Sequence, residues 1–297
     1  MEITAKMVKE LREKTNAGMM DCKNALTSVS GDMEKARDWL RERGLATVSK
    51  RAGRTAKEGV IATSVSSDLK QAAIVELNTE TDFVAKMDSF RKLANDIAKH
   101  LSDTKDVPVD LDSLLLCKCK VSKTSYGALI TDNTAKTGEK SELRRFKVLK
   151  TKDKSIVHAY NHTGDKLGVI LVLDVEKPGE DADQVAHDIA MQIAAHNPSA
   201  INVEDLPKEV IERETKIYTE LIKNLEKPKP KEIWPKIIEG YLRDFYKQVV
   251  LNEQSFIKEP KLSVKAYLNS KKAQIGQASV RSFVRYQLAE ELEGENA

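Results

Sequence analysis

At 297 residues, with 40% hydrophobic and 32% charged side chains, the chain can build about two packed domains with a strongly hydrated surface. Its 49 basic and 46 acidic residues leave a net charge of +3, too near neutral for a nucleic-acid binder working by bulk charge. No apolar run approaches the roughly 18 residues of a membrane helix, the start lacks a basic-then-apolar leader, and three cysteines form no even disulfide framework, so a reducing cytoplasm is the expected setting.

Residues 1–45 read as three short helices. Thr4 caps the first, whose stripe is Met7, Val8 and Leu11. Asn16-Ala17-Gly18 breaks it. Met20, Cys22 to Leu26 and Val29 form the second. Met33, Ala36, Trp39 and Leu40 share one face of the third, which Gly44 should stop as a C-cap. Such a module resembles the ubiquitin-associated three-helix fold, which implies partner binding through a small apolar loop, here Gly18-Met19-Met20. Both methionines also read as core, Met20 the more so. Residues 51–58 are a basic linker, read as a solvated hinge in preference to a phosphate site.

An internal repeat carries the fold. Residues 59–66 and 71–78 alternate as strands around Ser67-Asp68, and Phe90, Leu93, Ala94, Ile97 and Leu101 then mark a helix face. Residues 155–162 and 167–175 alternate around Thr163-Gly164-Asp165, followed by a helix bearing Val185, Ile189 and Ile193. Two related hairpin-plus-helix halves packed as one α+β core are expected, their other edges or loops left for a partner. Between them, residues 109–116 suit a short helix, residues 135–140 a polar turn, and Leu143 to Val148 a strand. Residues 207–225 and 233–249 read as a projecting helical hairpin around Lys227-Pro228-Lys229-Pro230. A short helix at 265–270 and a strand at 280–288 close the second sheet, and an acidic tail follows. The expected divisions are 1–50, 51–58, 59–145, 146–206, 207–262 and 263–297.

Within the first strand-to-helix loop lies Asn78-Thr79-Glu80-Thr81-Asp82-Phe83-Val84-Ala85-Lys86. A bare aromatic in a polar loop reads either as an anchor displayed to a partner or as a cap on the local core. No glycine-rich phosphate loop is present, and Gly18, Gly31 and Gly44 are isolated. Cys117-Lys118-Cys119 lacks zinc spacing and reads as a chance pair of thiols before it reads as a metal site. His158 and His162 share a strand face, so a paired site is conceivable, although His162 suits a surface turn. No metal, cofactor or nucleophile set is expected, so the chain is read as a binding protein and not an enzyme.

Thr81-Asp82-Phe83-Val84-Ala85-Lys86 resembles the signature of the elongation factor Ts family. Similar too are Met1 to Ala5, Val8 to Arg12, Gly18 to Lys23, Ile189 to Ala195 and, more weakly, Gln254 to Ile257. Met87 stands where the family usually has a polar residue, Thr137 where it has a bulky apolar one, and residues 102–135 match poorly. The resemblance implies a guanine-nucleotide exchange factor for elongation factor Tu, bound in its GDP and nucleotide-free forms, with no membrane or direct nucleic-acid role. It implies that Thr81, Asp82, Phe83 and Val84 disturb the partner's Mg²⁺ site. Arg12, Met19 and Met20 would hold the nucleotide domain, and Thr137, Gly138 and His162 a second domain. Two other classes stand beside it: a ubiquitin-associated-type adaptor using the N-terminal module alone, and a metal-dependent enzyme built on Cys117, Cys119 and the histidines.

Overall fold

In a computed structural model, the described residues are 3–292 except 16, 18, 52, 121, 153 and 226–228; the side chains of 41 and 44–51 are also outside the description. Gly18 of the expected apolar loop, residues 227–228 of the proline turn and most of the acidic tail therefore lie outside the described residues. The chain runs α1 (Ala5–Thr15), α2 (Met19–Ser28), α3 (Met33–Arg51), β1 (Glu58–Val65), β2 (Gln71–Thr79), α4 (Asp82–Ala85), α5 (Asp88–Asp103), α6 (Leu111–Leu116), α7 (Tyr126–Thr137) and β3 (Ser141–Lys150). It continues β4 (Ser155–Asn161), β5 (Leu167–Val175), α8 (Glu180–His196), α9 (Lys208–Lys223), α10 (Trp234–Val249), β6 (Ser255–Phe256), β7 (Glu259–Ser263), α11 (Val264–Ser270), α12 (Lys272–Ile275) and β8 (Ala278–Gln287).

Two antiparallel sheets, ordered β1-β2-β3 and β4-β5-β8, form the centre. The period-two side-chain alternation of a strand explains how each sheet serves two cores. On β2, Ala73, Val75 and Leu77 face α5, while Ala72 and Ile74 face the other sheet. On β5, Val169, Leu171, Leu173 and Val175 face α8, while Ile170 and Val172 meet the first sheet. The result is four layers, helix–sheet–sheet–helix. The second face of each hairpin is thus filled by the other sheet. Gly168 marks the close approach: a Cβ there would lie 2.7 Å from Ile61 Cγ2 and 2.9 Å from Asn161 Oδ1.

The N-terminal module has its own core of Val8, Leu11, Cys22, Ala25, Leu26 and Ala36. Gly44 does not stop α3, which continues to Arg51. An interior glycine costs only about 1 kcal/mol relative to alanine, and the backbone of α3 runs close to that of α7. The expected boundary at 145/146 falls inside β3, which completes the first sheet. α9 and α10 pack on each other as a helical arm, rooted by Ile211, Phe245, Tyr246 and Val249 against Ala200, Leu206 and Val250. The arm ends near Val249, earlier than the expected residue 262, because Leu251, Phe256 and Val264 already belong to the core under α8.

A buried ionic network ties the halves together. Glu76 is fully buried on β2 and accepts from Arg144 Nη1 at 3.2 Å, Arg145 Nε at 2.6 Å and the Ala289 amide at 3.0 Å. Arg145 also reaches Glu290 at 2.6 Å and lies 3.8 Å above the Tyr286 ring, so the segment after β8 is held onto the first sheet.

Candidate functional site

β2 ends at Thr79, where the antiparallel ladder to β3 also ends with Thr79 opposite Ser141. Two residues later Thr81 adopts an extended conformation, φ −126° and ψ 157°, and its side chain accepts from the Val84 amide. That N-cap starts a single helical turn. The expected loop is therefore α4, and its handedness decides which side chains face inward. Val84 and Ala85 are buried, Val84 against the core beneath α5, while Phe83 is left 80% exposed. Phe83 does not cap the local core. It stands out as an aromatic side chain in solvent on a turn whose neighbours are anchored. Asp82 pairs with Lys86 at 2.6 Å, and this hydrogen bond, helped by the Lys86 and Lys166 charges, holds its carboxyl below the usual range. Met87 next to this turn is also exposed.

The base of α4 is tied to the turn that starts β3. Glu139 accepts from the Thr81 amide at 2.9 Å, the Thr81 hydroxyl at 2.8 Å and the Thr79 hydroxyl at 3.3 Å. In the other direction, Glu80 accepts from the Lys140 amide at 2.6 Å and from Arg54 at 2.9 Å. Thr137 and Gly138, expected in a polar turn, are the C-terminus of α7. Gly138 adopts φ 71° and returns its amide to Thr134, the left-handed helix stop that glycine favours. The Thr137 hydroxyl donates to the Asn133 carbonyl at 2.8 Å and accepts from the Glu139 amide.

His162 lies in the β4–β5 turn, exposed, its Nδ1 at 2.8 Å from the Tyr160 hydroxyl. Residues of this turn reach the first half: Lys166 pairs with Glu58 at 3.0 Å and Asp165 with Arg91 at 3.7 Å. The structure thus brings Phe83, Thr137–Gly138 and His162 to the same end of the sheets. His158 does not pair with His162. Tyr160 lies between them on the strand, and His158 instead contacts Asp183 at 2.8 Å and His187 Nδ1 at 3.2 Å on α8.

Arg12, Met19 and Met20 sit on the separate three-helix module. Arg12 is exposed on α1, one turn after the buried Val8 and beside the buried stripe of Val8 and Leu11. Met19 and Met20 begin α2 and are 59% and 64% exposed, so Met20 is a surface residue and not core. Cys117 and Cys119 are free thiols; Cys117 donates to the Ser113 carbonyl, and Cys119 is buried in the α5–α7 core near Tyr126, whose hydroxyl pKa is raised chiefly by burial. Among the described residues no group of three or more His, Cys, Asp or Glu is placed to hold a metal ion. No helix of the described residues is long and apolar enough to cross a membrane.

Sequence reasoning missed Glu80 and Glu139. Their partners lie about 60 positions away, and a glutamate in a polar turn carries no local sign of such a role.

The family described as Elongation factor TS matches residues 80–290, which include α4, the β3 turn and His162. A curated protein named Elongation factor Ts from Clostridium novyi (strain NT) is 42% identical over 295 residues, covering 98% of this chain and 94% of its own length. With the motif around Phe83, the two-sheet core and these matches together, the chain belongs to the elongation factor Ts family.

Proposed function

We propose that this protein binds elongation factor Tu in the cytoplasm and promotes release of its GDP, supporting translation elongation. The observation that carries this reading is Phe83, 80% exposed on a turn anchored on both sides, in a chain of this family. Phe83 inserts between elements of the partner's nucleotide-binding domain, with Asp82 beside it and Thr81 and Val84 fixing the turn. The displaced elements are those that hold the partner's Mg²⁺ and its waters. Mg²⁺ demands near-ideal octahedral geometry, so a small displacement weakens both ion and nucleotide. Arg12, Met19 and Met20 hold the nucleotide domain from a second side; Thr137, Gly138 and His162 grip another domain.

The act is thermodynamic linkage and involves no covalent step by this chain. If the protein lowers GDP affinity by some factor, GDP lowers the protein's own affinity by the same factor. The proposed states are therefore a tight nucleotide-free complex and a weak GDP complex. Exposed Met19 and Met20 also support the adaptor reading, in which residues 1–50 bind a partner alone. Release of a fluorescent GDP analogue from elongation factor Tu, followed with and without the protein across Mg²⁺ concentrations, tests the proposal. Acceleration that shrinks as Mg²⁺ rises is expected; no acceleration at any Mg²⁺ concentration overturns it.

A further inference from the structure

We propose that Glu139 is the positioning residue for Phe83, and that with Glu80 it fixes the spacing between two partner contacts. This inference rests on the exchange reading above. Beyond the last ladder pair, Thr79 opposite Ser141, the two strands no longer exchange backbone hydrogen bonds. Side chains take over. Glu139 on the β3 side accepts three hydrogen bonds from Thr79 and Thr81, and Glu80 on the β2 side accepts one from the Lys140 amide. The two carboxylates cross, each binding the other's strand, and Arg54 supplies a cation to Glu80.

Two consequences follow. First, the Thr81 hydroxyl has one proton, and it is donated in a hydrogen bond to Glu139. That fixes the rotamer in which the same oxygen accepts from the Val84 amide and starts α4. Glu139 thereby sets the direction of the turn that displays Phe83, without touching Phe83. Second, Glu139 is two residues from Thr137 and its amide donates to the Thr137 hydroxyl. The α7 terminus and α4 become one unit. A partner that engages both meets a preset spacing and does not have to order two loops on binding. A misplacement of about 1 Å in a positioning element can lower a rate about 100-fold.

The test uses the full chain. Glu139→Ala should raise amide hydrogen exchange at Thr81 and Val84 about tenfold or more and lower the maximal rate of GDP release from elongation factor Tu about tenfold. Glu139→Gln, which keeps one acceptor oxygen, should lie between Ala and wild type, and serves if the Ala variant does not fold. In a Phe83→Ala background, Glu139→Ala should produce little further loss, because both changes remove the same contact. Unchanged exchange at Thr81 and Val84 overturns the brace itself. Increased exchange with wild-type GDP release, while Phe83→Ala is impaired, overturns the positioning role. If Phe83→Ala releases GDP like wild type, the insertion of Phe83 fails and the positioning role with it, whereas failure of the exchange reading itself shows as no acceleration by the wild-type protein; the brace is read separately, because hydrogen exchange needs no partner.

Discussion

Phe83→Ala separates the two things an aromatic side chain can do. Full burial of a phenylalanine side chain is worth about 1.5–3 kcal/mol. Only about a fifth of this residue is covered in the free protein, so truncation should cost folding about 0.3–0.6 kcal/mol. For a chain of this size that is a fall in melting temperature of under about 3 °C. The remaining four-fifths is available to a partner, and its burial there would contribute about 1.2–2.4 kcal/mol, or roughly 8- to 60-fold in complex stability. Because the insertion is proposed to distort the nucleotide site, the loss should appear in the GDP release rate at saturating protein and not only in the concentration needed. The assay is stopped-flow release of fluorescent GDP from elongation factor Tu, beside a thermal melt of the variant. Wild-type release with an unchanged melt refutes the reasoning. A melt lowered by ten degrees or more would also refute it, since the exposed side chain would then be supporting the fold.

Glu76→Ala leaves two largely buried guanidinium groups without their shared carboxylate, and should cost about 3–5 kcal/mol in urea unfolding; a loss below about 1 kcal/mol would show that the network is not stabilising. Burial alone would raise the Asp188 pKa, but hydrogen bonds from Lys258, Tyr267 and Gln184 outweigh it and hold the folded value below the ordinary one. A lowered carboxylate pKa stabilises the fold above the unfolded value of about 4, and that contribution is lost as pH falls through the lower folded value. Asp188→Asn should therefore flatten the acid side of the stability–pH curve below pH 4, and a curve parallel to wild type there would contradict the assignment. Replacing residues 212–244 of the arm with a short Gly-Ser linker, while keeping Ile211 and Phe245 to Val249 at its root, should preserve GDP release to within about threefold, since none of the proposed contacts lies on the arm. Abolished release in a folded deletion would place part of the interaction there.

The parts of the fold legible in the sequence are those set by local periodicity. β1, β2, β4, β5 and the long helices α5 and α8 announce themselves by alternation or by a 3.6-residue stripe, and each was found within a few residues. β8 was also placed in the second sheet, since its alternation needs a strand beside it. What escaped is what tertiary context decides. α7 contains Gly127, Asn133 and Thr134, poor helix formers, yet Asn133 and Thr134 are buried and bonded to Ser141. α4 is a single turn, too short to show a period, so Phe83 was legible as an aromatic in a polar stretch but not as an outward-facing one. Met20 looked like core because an apolar residue near a helix start has no partner visible in sequence. The contacts of Glu76 and Glu139 link positions about 60 to 210 apart, and no composition or spacing signal reports them.

The pairing of β5 with β8 has a consequence for biosynthesis. Leu167 lies opposite Gln287, and the arm is made between them. At about 5–20 residues per second the ribosome needs roughly 6–24 s to add the intervening segment. For that time β5, an apolar strand from Val169 to Val175, has β4 on one side and an open hydrogen-bonding edge on the other. The first sheet, whose strands all lie before residue 151, can close long before. The nascent chain therefore passes through a half-finished state with one completed sheet and one sticky edge, the stage at which a chaperone would most benefit it.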